Sequence, residues 1–194
     1  MSHPQTLPRQ QITRAVAVLS HPGLIRLVSE IDDNGPVQHR MLGRTFADLA
    51  RHQIRHAFTA GRDHGLIYAE DTNSPCYLLT HSGADLADVY DQAARWARAH
   101  NYPSATGDFV TRVRETLVLL GREQVIDAMT SEAGDEEARG QVADAGLLPT
   151  TEAVAELHRP WAALSRWTET NPSVLTTAAR RSCSTAEADA EPAA

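Results

Sequence analysis

The chain has 194 residues, 42% of them hydrophobic, and a formal net charge of −7 at pH 7. That is enough apolar material to bury a core in one domain or in two small ones, which excludes a wholly disordered chain. No apolar run approaches the ~18–20 residues of a membrane span, and residues 1–5 lack the apolar centre of a signal peptide, so a cytoplasmic protein with no membrane association is expected. Cys76 and Cys183 alone support neither a disulfide framework nor a cysteine zinc site.

Residues 1–9 read as a flexible lead. From Gln10 to Leu19 the residues Ile12, Ala15, Val16 and Leu19 share one helical face. Ser20-His21-Pro22 breaks this helix, and Pro22 then falls in the first turn of a second one, where its missing N–H costs nothing. Leu24, Ile25, Leu27, Val28 and Ile31 form the buried side, and Asp32-Asp33-Asn34-Gly35-Pro36 ends the helix. A short helix is predicted over Val37–Thr45, a turn at Phe46-Ala47-Asp48 with Asp48 as N-cap, and a longer helix over Leu49–His64. In this last helix Leu49, Ile54, Ala57, Phe58 and Gly61 face inward and leave Arg51, His52, Arg55, His56 and Arg62 mostly outward.

Gly65 closes the helix, Leu66-Ile67-Tyr68 reads as a strand, Asn73-Ser74-Pro75 as a turn, and Tyr77-Leu78-Leu79-Thr80 as a second strand. The Thr80 hydroxyl can cap the helix that follows, which runs through Leu86 to Trp96, and Gly83 lets that helix approach the strand closely.

Charge is divided unevenly. Residues 1–102 carry ten arginines against ten Asp and Glu, whereas residues 103–194 carry eight against fifteen, and lysine is absent. The first half concentrates its cations at Arg40, Arg44, Arg51, Arg55 and Arg62, with His39, His52, His56 and His64 between them. Phosphate contact depends on such a local patch and not on the global sum. A solvated helix face is the plainer reading of the same residues.

Over residues 10–100 this arrangement resembles the bacterial winged helix-turn-helix regulators of the HxlR and MarR type, with HxlR the closer match. Gly65-Leu66-Ile67 after the third long helix, Tyr77-Leu78-Leu79-Thr80-His81-Ser82-Gly83 as a "Tyr-x-Leu-Thr-x-x-Gly" pattern, and the helix from Leu86 through Trp96 carry the likeness. It implies a mostly α protein with a small β-hairpin wing (α+β), a DNA-binding domain over 10–104, and a repressor-type transcriptional regulator that places the helix around Leu49–His64 in the major groove of an operator. It also implies no enzymatic activity and no cofactor. The DNA contacts it suggests are Arg40, Arg44, Arg51, His52, Gln53, Arg55, His56 and Arg62, since arginine reads guanine bidentately and glutamine can pair with adenine. One feature departs from the pattern: the wing, about Ala69–Cys76, contains Glu70 and Asp71 and no arginine. Any small α+β domain with a hairpin is the alternative.

Residues 105–173 look like a degenerate copy of the first half. Val110-Thr111-Arg112, Leu117, Gly121 and Val125-Ile126 match Ile12-Thr13-Arg14, Leu19, Gly23 and Leu27-Val28; further on, Ala138 and Gly146-Leu147-Leu148 match Ala57 and Gly65-Leu66-Ile67. Leu157, Trp161, Arg166 and Trp167 match Leu86, Tyr90, Arg95 and Trp96. The counterpart of the basic helix, 135–144, is acidic and would be repelled by phosphate. Chance matches in Ala- and Leu-rich helices are the alternative. A fused second copy makes either a pseudo-dimeric monomer or a homodimer with an enlarged interface, and two-fold symmetry with palindromic operators favours the homodimer. The tail 174–194 has little to bury and is expected to be disordered, with Arg180-Arg181 as a weak DNA contact.

Other groupings have competing readings. His52 and His56 stand at a zinc-chelating spacing but lack a third ligand, so no metal is expected. Cys76 is either a redox-sensing thiol or a small buried hydrophobe. Trp96, Tyr102, Phe109, Trp161 and Trp167 would either line a pocket for a small apolar effector or a dimer surface, or simply pack the helices. Neither a phosphate loop nor a nucleophile elbow is present, which argues against an enzyme. The competing function is a winged-helix module that binds a protein partner, or senses a ligand, without touching DNA.

Overall fold

The computed structural model describes residues 9–70, 74–130 and 151–172. In chain order the elements are α1 (Arg9–Leu19), α2 (Pro22–Asn34), β1 (Val37–Gln38), a 3₁₀ turn (His39–Met41), α3 (Leu42–Thr45), α4 (Arg51–Asp63), β2 (Ile67–Glu70), β3 (Cys76–Leu79), α5 (His81–Ala99), α6 (Phe109–Leu120), α7 (Glu123–Thr130), α8 (Thr151–Glu156) and α9 (His158–Thr170). The protein is mostly helical with one three-stranded antiparallel sheet, an α+β architecture.

The helices follow the apolar periodicity closely, and the segment between α2 and α4 does not. Val37–Thr45 is not one helix. After α2 ends at Gly35 and Pro36, the β-branched Val37 pairs with Tyr77 and Gln38 with Cys76, making a two-residue strand on the far side of β3 from β2. Only Leu42–Thr45 is α-helical, preceded by the 3₁₀ turn. Asp48 is not the N-cap of α4 either. The helix starts at Arg51 with Ala50 as N-cap, and the Asp48 carboxylate instead accepts from Arg26 Nε at 3.3 Å.

Two apolar clusters hold the chain together. The smaller one joins Leu27 and Ile31 of α2, Val37 of β1, Phe46, Ala57 and Phe58 of α4, and Ile67 of β2, with Phe46 edge-on to Phe58 at 5.8 Å. The larger one runs from Ile12 and Leu24 through Leu86 and Tyr90 to Leu117, Val154 and Leu164. Residues on both sides of position 104 therefore share one core, so the expected boundary between 10–104 and 105–173 separates no two cores. Two buried hydrogen bonds tie the same regions: the Tyr90 hydroxyl donates to Leu19 O at 2.9 Å, and the Trp96 indole N–H donates to Ala153 O at 3.0 Å. Burial pushes the Tyr90 hydroxyl up, so it stays a donor throughout the physiological range.

The loop between α5 and α6 is pinned by a cation. Arg112 is buried and donates from Nε to Gly107 O at 2.7 Å, from Nη1 to Ala97 O at 3.1 Å and from Nη2 to Ala105 O at 2.8 Å. Three carbonyls, one in the last turns of α5 where the helix dipole is negative, take the place of a carboxylate partner. The described part of residues 105–173 contains helices α6–α9 and no strand. The acidic stretch 135–144, Gly146-Leu147-Leu148, the flexible lead up to residue 8 and the tail lie outside the described residues, as do Asp71 and Asn73 of the hairpin turn.

Candidate nucleic-acid interface

Helix α4 is fixed at both ends by local chemistry. At its start Ala50 offers no side-chain acceptor, but Gln53 reaches back and its Oε1 accepts from the Ala50 N–H at 2.8 Å. The carboxamide expected to pair with adenine is thus engaged in holding the first turn. At its end the Leu66 N–H donates to Gly61 O at 2.8 Å and the Gly65 N–H to Arg62 O at 3.0 Å, with Gly65 at φ 64°. This six-to-one and five-to-two pair of bonds needs a left-handed residue, which glycine adopts without a Cβ penalty.

The same corner fixes α5. Thr80 accepts from the Gly83 N–H at 3.1 Å and donates its hydroxyl to Gly65 O at 2.6 Å, so one side chain links the end of α4, the start of β2 and the start of α5. The capping role expected of Thr80 is therefore present.

On this frame α4 buries Ala57, Phe58 and Gly61, half-buries Ile54, and exposes Arg51, His52, Gln53, Arg55, His56 and Arg62. Arg51, Arg55 and Arg62 recur at the spacing of one helical stripe and line an open groove of about 560 Å³, walled by Leu42 of α3, Ile54 and Phe58 of α4 and Tyr77 of β3. Asp63 closes its end. The first turn of α4 carries two cationic or titratable residues and no carboxylate, opposite to what the helix dipole favours. An anion outside the protein would relieve that arrangement.

Arg40 and Arg44 are exposed on the 3₁₀ turn and α3. Arg40 Nε donates to Gln38 Oε1 at 2.9 Å. His56 is exposed but not independent: its ring stacks on His21 at the start of α2 with centroids 4.4 Å apart. The His21 partner was invisible in the sequence because it lies on another helix. His39, 6.1 Å from the Tyr77 ring, joins the same surface through β1 pairing.

The remaining sequence candidates fall elsewhere. Cys76 is half-buried with Sγ 3.7 Å from Glu70 Oε2. Burial and the neighbouring carboxylate push its thiol up, which disfavours the thiolate that a redox sensor needs. The five aromatics pack with the helices. Trp96 and Trp167 are buried in the larger core, with the Trp167 indole N–H donating to Ser82 O at 2.9 Å; Tyr102 stacks on Trp96 at 5.4 Å, and Phe109 and Trp161 pack against that core. These contacts support the packing reading of the five residues. Among the described residues no three His, Cys, Asp or Glu side chains are grouped to hold a metal ion, and no helix is long and apolar enough to cross a membrane.

The class defined at this point is an α+β protein whose small sheet braces a helix with a cationic outer face. No protein-family model, no curated protein and no solved structure matches the chain.

Proposed function

We propose that the chain is a sequence-specific DNA-binding transcriptional regulator of the winged helix-turn-helix type, with α4 entering the major groove of double-stranded DNA and the β2–β3 hairpin lying beside it as a wing. One observation carries this reading: the arginines of α4 stand together on the exposed side of a helix whose other side is buried against α2 and the sheet. A helix with its side chains is about 10–12 Å across, matching a major groove about 12 Å wide. The order α2, β1, α3, α4, β2, β3 supports the reading, because the two strands bordering the hairpin return the chain to the end of α4.

The regulator acts in the cytoplasm, and no catalytic chemistry or cofactor belongs to the proposal. The oligomeric reading shifts with the geometry. Helix α9 packs along α5, with Trp167 bonded to Ser82, so this flank of α5 is occupied within the chain. That supports a single-headed monomer over the homodimer favoured by operator symmetry.

Binding to duplex fragments across a salt series tests the function. The wild type should show a sequence-selective shift that weakens steeply with salt, and an Arg51→Ala/Arg55→Ala variant should lose about 2 kcal/mol or more, on the order of 30-fold in affinity. A wild type that binds every duplex equally weakly would instead favour a protein-binding module.

A further inference from the structure

The two exposed sides of α4 carry different chemistry. Arg51, Arg55 and Arg62 are set toward the sheet, walled by Leu42, Phe58 and Tyr77. His52 stands on the crest, opposite buried Gly61 and outside that groove, whereas Thr59 and Asp63 line the groove together with the arginines. A crest meets base edges when a helix enters the major groove, whereas side chains set to one flank meet the phosphates along its rim.

The arginine flank continues past α4. Tyr77 borders the arginine groove, its ring 4.6 Å from Phe58 on one side and 6.1 Å from His39 on the other. Beyond it Gln38, His39, Arg40, Ser74 and Pro75 line a second open groove, of about 220 Å³, at the end of the hairpin. The His39 N–H donates to Pro75 O at 3.0 Å and holds the two segments together. The bond from Arg40 Nε to Gln38 Oε1 orients the guanidinium there, with no partner for its terminal NH₂ groups among the described residues. The hairpin has Glu70 and no arginine of its own, so pairing of β1 with β3 brings the nearest cation to its end.

We propose that Arg51, Arg55, Arg62 and Arg40 form one phosphate track, a sequence-blind clamp running from α4 across Tyr77 to the hairpin end, while His52 on the crest reads base edges. This rests on the DNA-binding reading above and assigns its parts. Arginine suits the track because it stays charged and presents several donors to phosphate oxygens.

The test uses the full chain with two duplexes, one recovered by selection from a randomised pool and one of the same composition with the sequence shuffled. Arg40→Ala should lower the slope of log affinity against log salt by about 0.9 on both duplexes and leave the preference between them unchanged. Arg40→Lys should keep the slope. His52→Ala should keep the slope and reduce the preference by roughly tenfold. An unchanged slope in Arg40→Ala, with wild-type selectivity intact, overturns the track alone. A wild type with no preference for the selected duplex overturns the regulator reading, and the division of labour falls with it.

Discussion

Gly83 sits where no side chain fits. A Cβ there would stand 2.1 Å from Leu66 O, a backbone atom held in place by the Thr80 N–H and by the start of β2. Because neither α5 nor the strand can yield without losing the Thr80 cap, Gly83→Ala should cost about 3 kcal/mol or more and lower the thermal midpoint by roughly 10 °C. Gly43→Ala in α3, which meets nothing within 4 Å, is the control and should leave the midpoint unchanged or slightly raised. Equal midpoints for the two variants would show that the corner is not rigid. This corner was legible in the sequence because its chemistry is local: a hydroxyl, a glycine three residues on, and a strand just before. Arg112 was not legible. Its three carbonyl partners lie five to fifteen residues away, one in α5 and two on the loop after it, whose path no residue pattern announces.

At the scale of elements, the seam between α2 and α4 decides how the cationic helix is presented. His21 begins α2 with no side-chain cap bond, and its ring packs on His56 of α4; its buried Nδ1 has no hydrogen-bond partner among the described residues. Burial, and then the charge of His56, hold the His21 pKa below 6.5. In the window below 6.5 the unfolded chain therefore binds a proton more readily than the folded one, so stability is complete above that pH and declines as pH falls through the folded value. His21 is half-buried, so solvent screens part of the effect and keeps it modest. His56→Gln removes the second cause, and its loss of stability between pH ~8 and ~5 should be smaller than that of the wild type in urea titrations. Identical pH profiles would mean that the ring pair has no energetic coupling. The helices on both sides of this seam were predicted within a few residues because each shows a 3.6-residue apolar period. The two-residue β1 was not, since so short a strand has no period to read and only the pairing with β3 defines it.

At the scale of the molecule, the order of the long helices of the first half and of the hairpin was legible and their grouping with the second half was not. The matches of Leu157, Trp161, Arg166 and Trp167 to Leu86, Tyr90, Arg95 and Trp96 suggested a second unit, but a repeat in the sequence says little about which apolar faces meet. Leu117, Leu120 and Val154 pack with Ile12, Leu24 and Tyr90 in one cluster, and all three tryptophans lie in or against it. If that cluster is the cooperative unit, a fragment ending at residue 104 loses the α6, α8 and α9 side chains that cover Trp96, Ala93 and Ala97, and leaves the Trp96 indole without Ala153 O. The full chain should then unfold in a single transition, with tryptophan fluorescence and helical circular dichroism giving the same midpoint in urea. The 1–104 fragment should show helix without a cooperative transition, because most of the apolar surface of α1 and α5 would have nothing to bury against. A sharp, independent transition in that fragment would mean instead that the smaller cluster around Phe46 and Phe58, with the Thr80–Gly83 corner, holds the cationic helix in place unaided.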